Sequence, residues 1–160
     1  MLEFRKITWD NYREVAQLKV SKEQEKLVDS VLESVADAYI SIESGNPIKT
    51  YGIYHDDTPI GFTMYNYHTA DGEVPEADGE KVYCIWRLLI DEKFQGKGFG
   101  KQAFQKLLNE IRTRPLGDAD YVYVGYEEEN QVAENLYKSF GFVGAYDVED
   151  EIVYASRKLG

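Results

Sequence analysis

Apolar positions along the chain change period several times, and each change predicts a new element. Residues 2–8 read as a short strand, and residues 11–20 as a helix. Leu27, Val28, Val31, Leu32, Val35, Ala38, Tyr39 and Ile42 recur at three-to-four spacing, which predicts a second helix with these side chains on one apolar face. Ser44-Gly45-Asn46-Pro47 stops it with turn residues. Asp56-Asp57-Thr58-Pro59 then separates two strand-like runs, 48–55 and 60–67, expected to pair as a hairpin. After an acidic, Gly- and Pro-containing loop at 69–80, the run from Val82 to Ile90 is apolar except for Arg87, the pattern of a central strand covered on both faces. Ala103, Phe104, Leu107, Leu108 and Ile111 form the stripe of a helix over 98–112 that lies on a sheet. A Tyr-rich strand at 120–126 comes next. A helix over 129–140 carries Val132, Ala133, Leu136, Tyr137 and Phe140 on one side and closes at Gly141. Two strands, 142–148 and 151–157, finish the chain across a turn at Glu149-Asp150.

Strands and helices alternate without repeat, linker or low-complexity tract, so the 160 residues are expected to form a single α/β or α+β domain, 1–160. At 43% hydrophobic residues the chain can fill a core, and intrinsic disorder is excluded. No apolar run approaches the ~20 residues of a membrane helix and no signal-peptide pattern opens the chain, so a cytoplasmic protein with no membrane partner is expected. The formal net charge of −11 argues against nucleic acid as a partner. One cysteine, Cys84, and two histidines, His55 and His68, make no disulfide, no plausible metal site and no hydrolase triad.

Between the central strand and the following helix lies Gln95-Gly96-Lys97-Gly98-Phe99-Gly100-Lys101. Glycines let backbone N–H groups approach a ligand, and a helix N-terminus adds partial positive charge, an arrangement that suits phosphate. Two familiar phosphate motifs fail here. A dinucleotide fingerprint counted from Gly96 needs glycine where Lys101 stands, and a Walker A loop needs glycine at Gln95 and Ser or Thr at Gln102. From 93 to 114 the chain nevertheless places Lys93, Lys97, Lys101, Lys106, Arg112 and Arg114 against Glu110 alone, a cationic island in an anionic protein. A solvated helix face with a glycine turn would give a similar pattern.

Gln95-Gly96-Lys97-Gly98-Phe99-Gly100 resembles the Gln/Arg-x-x-Gly-x-Gly/Ala motif of the GNAT superfamily of N-acetyltransferases. Asn130-Gln131-Val132-Ala133-Glu134-Asn135-Leu136-Tyr137-Lys138-Ser139-Phe140-Gly141-Phe142 resembles its second motif, in the right order and at the right separation. Within the superfamily, Ile85-Trp86-Arg87-Leu88-Leu89-Ile90-Asp91-Glu92 is most similar to bacterial spermine/spermidine acetyltransferases. The resemblance implies a mixed, mostly antiparallel sheet of about six to seven strands with about four helices, and a splay between the strands near 82–90 and 120–126. Gly125 sits where such a splay, or an ordinary bulge, would occur.

It further implies that acetyl-CoA lies with its pyrophosphate on the amides of Gln95, Gly96, Lys97, Gly98, Phe99, Gly100 and Lys101 and its pantetheine arm along Leu88, Leu89 and Ile90. Asn130 and Ala133 would stand beside that arm, and Asn130 can also act as an N-cap. Tyr137 is implied as partner of the leaving sulfur. Outright proton transfer from a phenol to a thiolate is uphill by roughly 2 kcal/mol, so hydrogen bonding to the developing charge is the easier role. The acceptor amine, with a pKa near 10, costs about 4 kcal/mol to present neutral at pH 7. Glu92 is the favoured end point for its proton, reached through water.

Asp29, Glu33 and Asp37 recur at four-residue spacing and form a like-charged row that a polycation would relieve, although a solvated helix face gives the same pattern. Tyr39 and Tyr65 are candidates for packing against such a substrate, with core packing as their other role. The expected function is direct transfer of acetyl from acetyl-CoA to a primary amine of spermine or spermidine. Another amine acceptor (protein lysine or N-terminus, amino acid, aminoglycoside) and a non-catalytic acyl-CoA sensor are the alternatives. No metal is required, and the resemblance allows a homodimer.

Overall fold

Antiparallel pairing runs outward from the first hairpin. The computed structural model describes residues 1–147, 149 and 151–160, with the backbone alone at 145 and 146. β1 (Leu2–Lys6) pairs with β2 (Ile48–His55), β2 with β3 (Thr58–Thr69), and β3 with β4 (Lys81–Ile90), all antiparallel. β5 (Tyr121–Glu127) lies parallel to β4 and antiparallel to β7 (Ile152–Lys158), which also carries β6 (Val143–Asp147). The result is one seven-stranded, mostly antiparallel sheet in the order β1-β2-β3-β4-β5-β7-β6, as the resemblance implied. Among the described residues four α-helices accompany it: α1 (Tyr12–Ala16), α2 (Val31–Glu43), α3 (Phe99–Arg112) and α4 (Gln131–Ser139). None of the described helices is long and apolar enough to cross a membrane.

Parallel neighbours cannot be joined by a tight turn, and α3 supplies the crossover between β4 and β5. Its predicted stripe, Ala103, Phe104, Leu107, Leu108 and Ile111, is buried on the sheet. Tyr83 and Ile85 of β4 and Val122 and Val124 of β5 complete that core. Two phenols tie the far end of α3 to the hairpin: Tyr51 and Tyr65 donate to the same oxygen of Glu110, at 3.0 and 2.5 Å. The other face of β4 is covered too, because Ala70, Val74 and Ala77 of the acidic loop pack on Val82 and Cys84.

Three expectations change. The first helix is shorter than 11–20, ending at Ala16. The second begins only at Val31, where Ser30 and Glu33 form a capping box, so Leu27 and Val28 fall outside it. Its buried face is also rotated from the expected one. Val31, Ser34, Ala38 and Ser41 face inward, whereas Leu32, Tyr39 and Ile42 are 65%, 65% and 56% exposed. Small side chains let the helix approach the sheet closely, and the buried hydroxyls find local acceptors: Ser34 donates to Ser30 O at 2.8 Å and Ser41 to Asn46 O at 3.1 Å. Of the terminal hairpin, Val148 and Asp150, the expected strand end and half of the turn, lie outside the described residues.

The register of β4 matters most for function. Tyr65 faces Ile85 but Met64 faces Arg87, so Trp86 is an extra, bulged residue. Pairing of β4 with β5 covers only Tyr83–Val122, Cys84–Tyr123 and Ile85–Val124. Beyond that point the two strands separate, and Gly125 is the first residue of β5 past the last pair.

Candidate active site

Parting the strands opens a cleft of about 760 Å³, with Leu88, Leu89 and Ile90 on one wall and Gly125, Tyr126 and Glu127 on the other. The β4 edge that would have bonded to β5 is left without strand partners, and hydrogen-bonding groups of an extended ligand can take their place.

At the end of β4 the chain turns on Asp91. This carboxylate is 6% exposed and accepts the N–H of Lys93 and of Lys19, each at 3.0 Å, so it serves as a structural clasp. Gln95 follows, donating its side-chain amide to Ile90 O at 2.8 Å and to Gln24 at 2.9 Å. Gly96 and Gly98 take left-handed conformations, φ 76° and 83°, and a Cβ on either would meet nothing within 4 Å. Gly98 caps α3, whose first described intrahelical bond is Gln102 N–H to Gly98 O, 3.2 Å. The N–H groups of 95–101 therefore form an open cradle without described partners. Gln95, Gly96, Gly98, Phe99, Gly100 and Lys101 line the cleft. Lys97 does not; its ammonium sits 5.7 Å from the centre of the Phe94 ring.

Helix α4 contributes Asn130, Ala133, Leu136 and Tyr137. Asn130 is the N-cap, accepting Ala133 N–H at 3.2 Å, which leaves its side-chain NH₂ to donate elsewhere. The Tyr137 ring is wedged between Phe104, Tyr126 and Phe142, with centroids 5.2, 5.5 and 6.2 Å away. Burial pushes its phenol well above the usual tyrosine range, and among the described residues its hydroxyl has no partner. A neutral O–H thus points from a rigid ring in the cleft wall.

The expected acceptor set is not assembled. Only Asp29 of its five members lines the cleft. Glu33 is engaged in the Ser30 capping box, and Asp37, with Asp29, holds Arg87 through a single guanidinium nitrogen at 3.0 and 2.5 Å. The carboxylate row is therefore partly neutralised from within. Tyr39 is on the outer face of α2, and Tyr65 is buried with its hydroxyl on Glu110. Glu92 is exposed on the turn after β4 and outside the cleft lining, its N–H bonded to Lys19 O at 2.9 Å.

One wall was missed altogether. Residues 19–29 form a strap carrying Val20, Gln24, Lys26, Leu27 and Val28 along the cleft, and Lys26 reaches Glu129 at the head of α4 with a 3.7 Å ion pair. The readable signal was Ser30-x-x-Glu33, a capping box that ends the preceding segment and releases Leu27 and Val28 from the helix.

Residues 2–142 match the family model described as acetyltransferase (GNAT) family. The chain belongs to the GNAT acetyltransferase family. As a member it is an acetyltransferase whose acetyl donor is acetyl-CoA. A spermine/spermidine N(1)-acetyltransferase of Bacillus subtilis is 31% identical over 144 residues, spanning 88% of this chain and 87% of the relative. Among solved structures, an aminoglycoside acetyltransferase in complex with coenzyme A superposes with a TM-score of 0.74 at 18% identity, covering 99% of this chain and 95% of the other. The PaiA N-acetyltransferase of Thermoplasma acidophilum, in complex with coenzyme A, gives 0.64 at 17% identity and 99% coverage of both chains. At such identities the two structures establish a shared fold.

Proposed function

We propose that this GNAT enzyme acetylates a primary amine of spermine or spermidine, with the donor in the cleft between β4 and β5. The observation that carries the donor half is the parting of these strands beside an open glycine cradle. Its dimensions suit a long, diphosphate-bearing arm: amides of 95–101 and Lys101 for the phosphates, the free edge of Leu88, Leu89 and Ile90 for the pantetheine amides, and the side-chain NH₂ of Asn130 for a carbonyl. The acceptor half is supported by the relative at 31% identity and by the net charge of −11, which draws polycations.

Acetyl-CoA supplies the activated acetyl group. Tyr137, its proton held on Oη by burial, presents a donor where negative charge grows on sulfur, and removing a preorganised donor of this kind typically costs ~10²-fold or more in rate. A backbone N–H from the 88–90 stretch, on the β4 edge that has no strand partner, is assigned to the developing oxyanion. The amine's proton leaves through water, because Asp91 is spent on two amides and Glu92 stands outside the cleft.

The test is release of CoA thiol with spermine, spermidine, an aliphatic monoamine, a lysine peptide and an aminoglycoside. The highest kcat/KM is expected with the two polyamines. Turnover confined to the other amines overturns the acceptor assignment, and acetyl-CoA binding without turnover of any amine points to a sensor.

A further inference from the structure

The strap over the cleft is pinned at both ends, to the turn after β4 and to the β4 bulge. Its start is held where Lys19 bonds through N–H to Asp91 (3.0 Å) and through C=O to Glu92 (2.9 Å), next to the glycine cradle. Gln24 strengthens that end by accepting from Gln95. Toward its far end two side chains hold it: Lys26 reaches Glu129 in a 3.7 Å, mostly exposed ion pair, and Asp29 alone ties it to β4. Asp29, the last strap residue before the Ser30 cap, meets Arg87 of the β4 bulge at 2.5 Å. The same guanidinium nitrogen takes Asp37 of α2 at 3.0 Å, and the other terminal nitrogen donates to Trp86 O at 3.0 Å. The side chain of Arg87 is only 15% exposed, whereas those of Asp29 and Asp37 are 50% and 37% exposed.

We infer that Arg87 is a positioning residue for the acceptor side of the cleft: it locks strap, α2 and the Trp86 bulge into one wall. The inference rests on the assignment of this cleft as the transfer site. The bulge makes it possible. With Trp86 inserted, the residue facing Met64 turns its side chain toward α2, and a planar fork there can serve two carboxylates and a carbonyl at once. Lysine, a point charge on a flexible stem, cannot replace that fork fully. Without Arg87, Asp29 and Asp37 would face each other as like charges, and the strap would loosen from the far end, beside Val28 and Asp29. The ties at Lys19, Gln24 and Lys26 would remain, leaving the cradle intact. Asp29 and Asp37 thus join the strap to α2 through Arg87, and the cradle has its own anchors at Lys19 and Gln24.

The experiment measures KM for the best-used amine and for acetyl-CoA separately in Arg87→Met, Arg87→Lys, Asp29→Asn and the Arg87→Met/Asp29→Asn double variant. Loss of a charge-assisted tie is expected to raise the amine KM about tenfold in Arg87→Met, with the acetyl-CoA KM within about twofold. Arg87→Lys should recover part of the loss, and the double variant should be no worse than Arg87→Met, since both changes cut one tie. An unchanged amine KM, equal movement of both KM values, or a further large rise in the double variant would overturn the inference; the last would make Asp29 a direct substrate contact. Should Arg87→Met fail to fold by circular dichroism, Asp29→Asn alone decides, because it keeps the shape of a half-exposed side chain. The ranking of amines by wild-type enzyme tests the polyamine assignment independently, since the KM pattern can be read with any amine that turns over.

Discussion

Gly98 offers a perturbation in which backbone strain, bulk and charge separate. A Cβ at this position meets nothing within 4 Å, so Gly98→Ala costs the fold only its left-handed backbone at φ 83°. That is ~1 kcal/mol, or a fall in Tm of roughly 2–4 °C for a chain of this size. Gly45, φ 89° and equally open, lies in the turn after α2 away from the cleft, so Gly45→Ala should lower Tm alike without changing acetyl-CoA affinity. Gly98→Asn and Gly98→Asp share one shape, both tolerate the left-handed region, and they differ by a single negative charge. A carboxylate about 5 Å from a phosphate charge, at an effective dielectric near 20, costs about 3 kcal/mol. That predicts about two decades in Kd between the aspartate and asparagine variants. Calorimetric titration with acetyl-CoA reads the difference directly. Repeating it at 1 M salt, where the Debye length is ~3 Å, should shrink the gap. An aspartate variant that binds within about threefold of the asparagine variant would refute the placement of phosphate on this cradle.

Tyr137→Phe should lower kcat by about 10²-fold while the Kd of acetyl-CoA, measured by calorimetry, stays within about twofold, because only the hydroxyl is lost from a ring held by its neighbours. Burial, then the Glu110 carboxylate, pushes the Tyr51 phenol up to about 12, and Tyr65 is displaced in the same direction. Because the folded state keeps these protons more tightly than the unfolded chain, their contribution is complete below pH ~10 and is lost as pH rises from 10 toward 12. Thermal melts across that window should fall steeply, and less steeply in Tyr51→Phe; parallel curves would count against the assignment. Burial raises the Cys84 thiol to about 12, so a disulfide reagent should label the native protein slowly and the urea-unfolded protein at once, a contrast that rapid native labelling would contradict.

The separation of legible from illegible follows the range of the interactions. The stripe Ala103, Phe104, Leu107, Leu108, Ile111 could point only one way, since the positions between its members are charged or polar. In α2 two stripes lie side by side, Val31-Ser34-Ala38-Ser41 and Leu32-Val35-Tyr39-Ile42, and by side-chain size and apolarity the Leu32 stripe is the stronger candidate for burial. Packing chose the Val31 stripe because small residues permit close approach to the sheet. The rotated face carried the acceptor prediction with it: the Asp29, Glu33, Asp37 row is at the correct spacing, yet each member has a partner that spacing does not reveal.

Local signals were enough for the order of the elements, the extent of most of them beyond the first two helices, the glycine turn before α3 and the place of Tyr137 on the last helix, because hydrophobic period, capping and glycine placement act over a few residues. The parting of β4 from β5 beside Gly125 was expected from the family resemblance, but tertiary structure alone decided that Trp86 is inserted and Arg87 turned toward α2, and that residues 19–29 wall the cleft. Those outcomes depend on partners 50 to 72 positions away in the chain, such as Asp37 for Arg87 and Lys19 for Asp91, whose meeting is settled by packing and charge neutralisation in three dimensions.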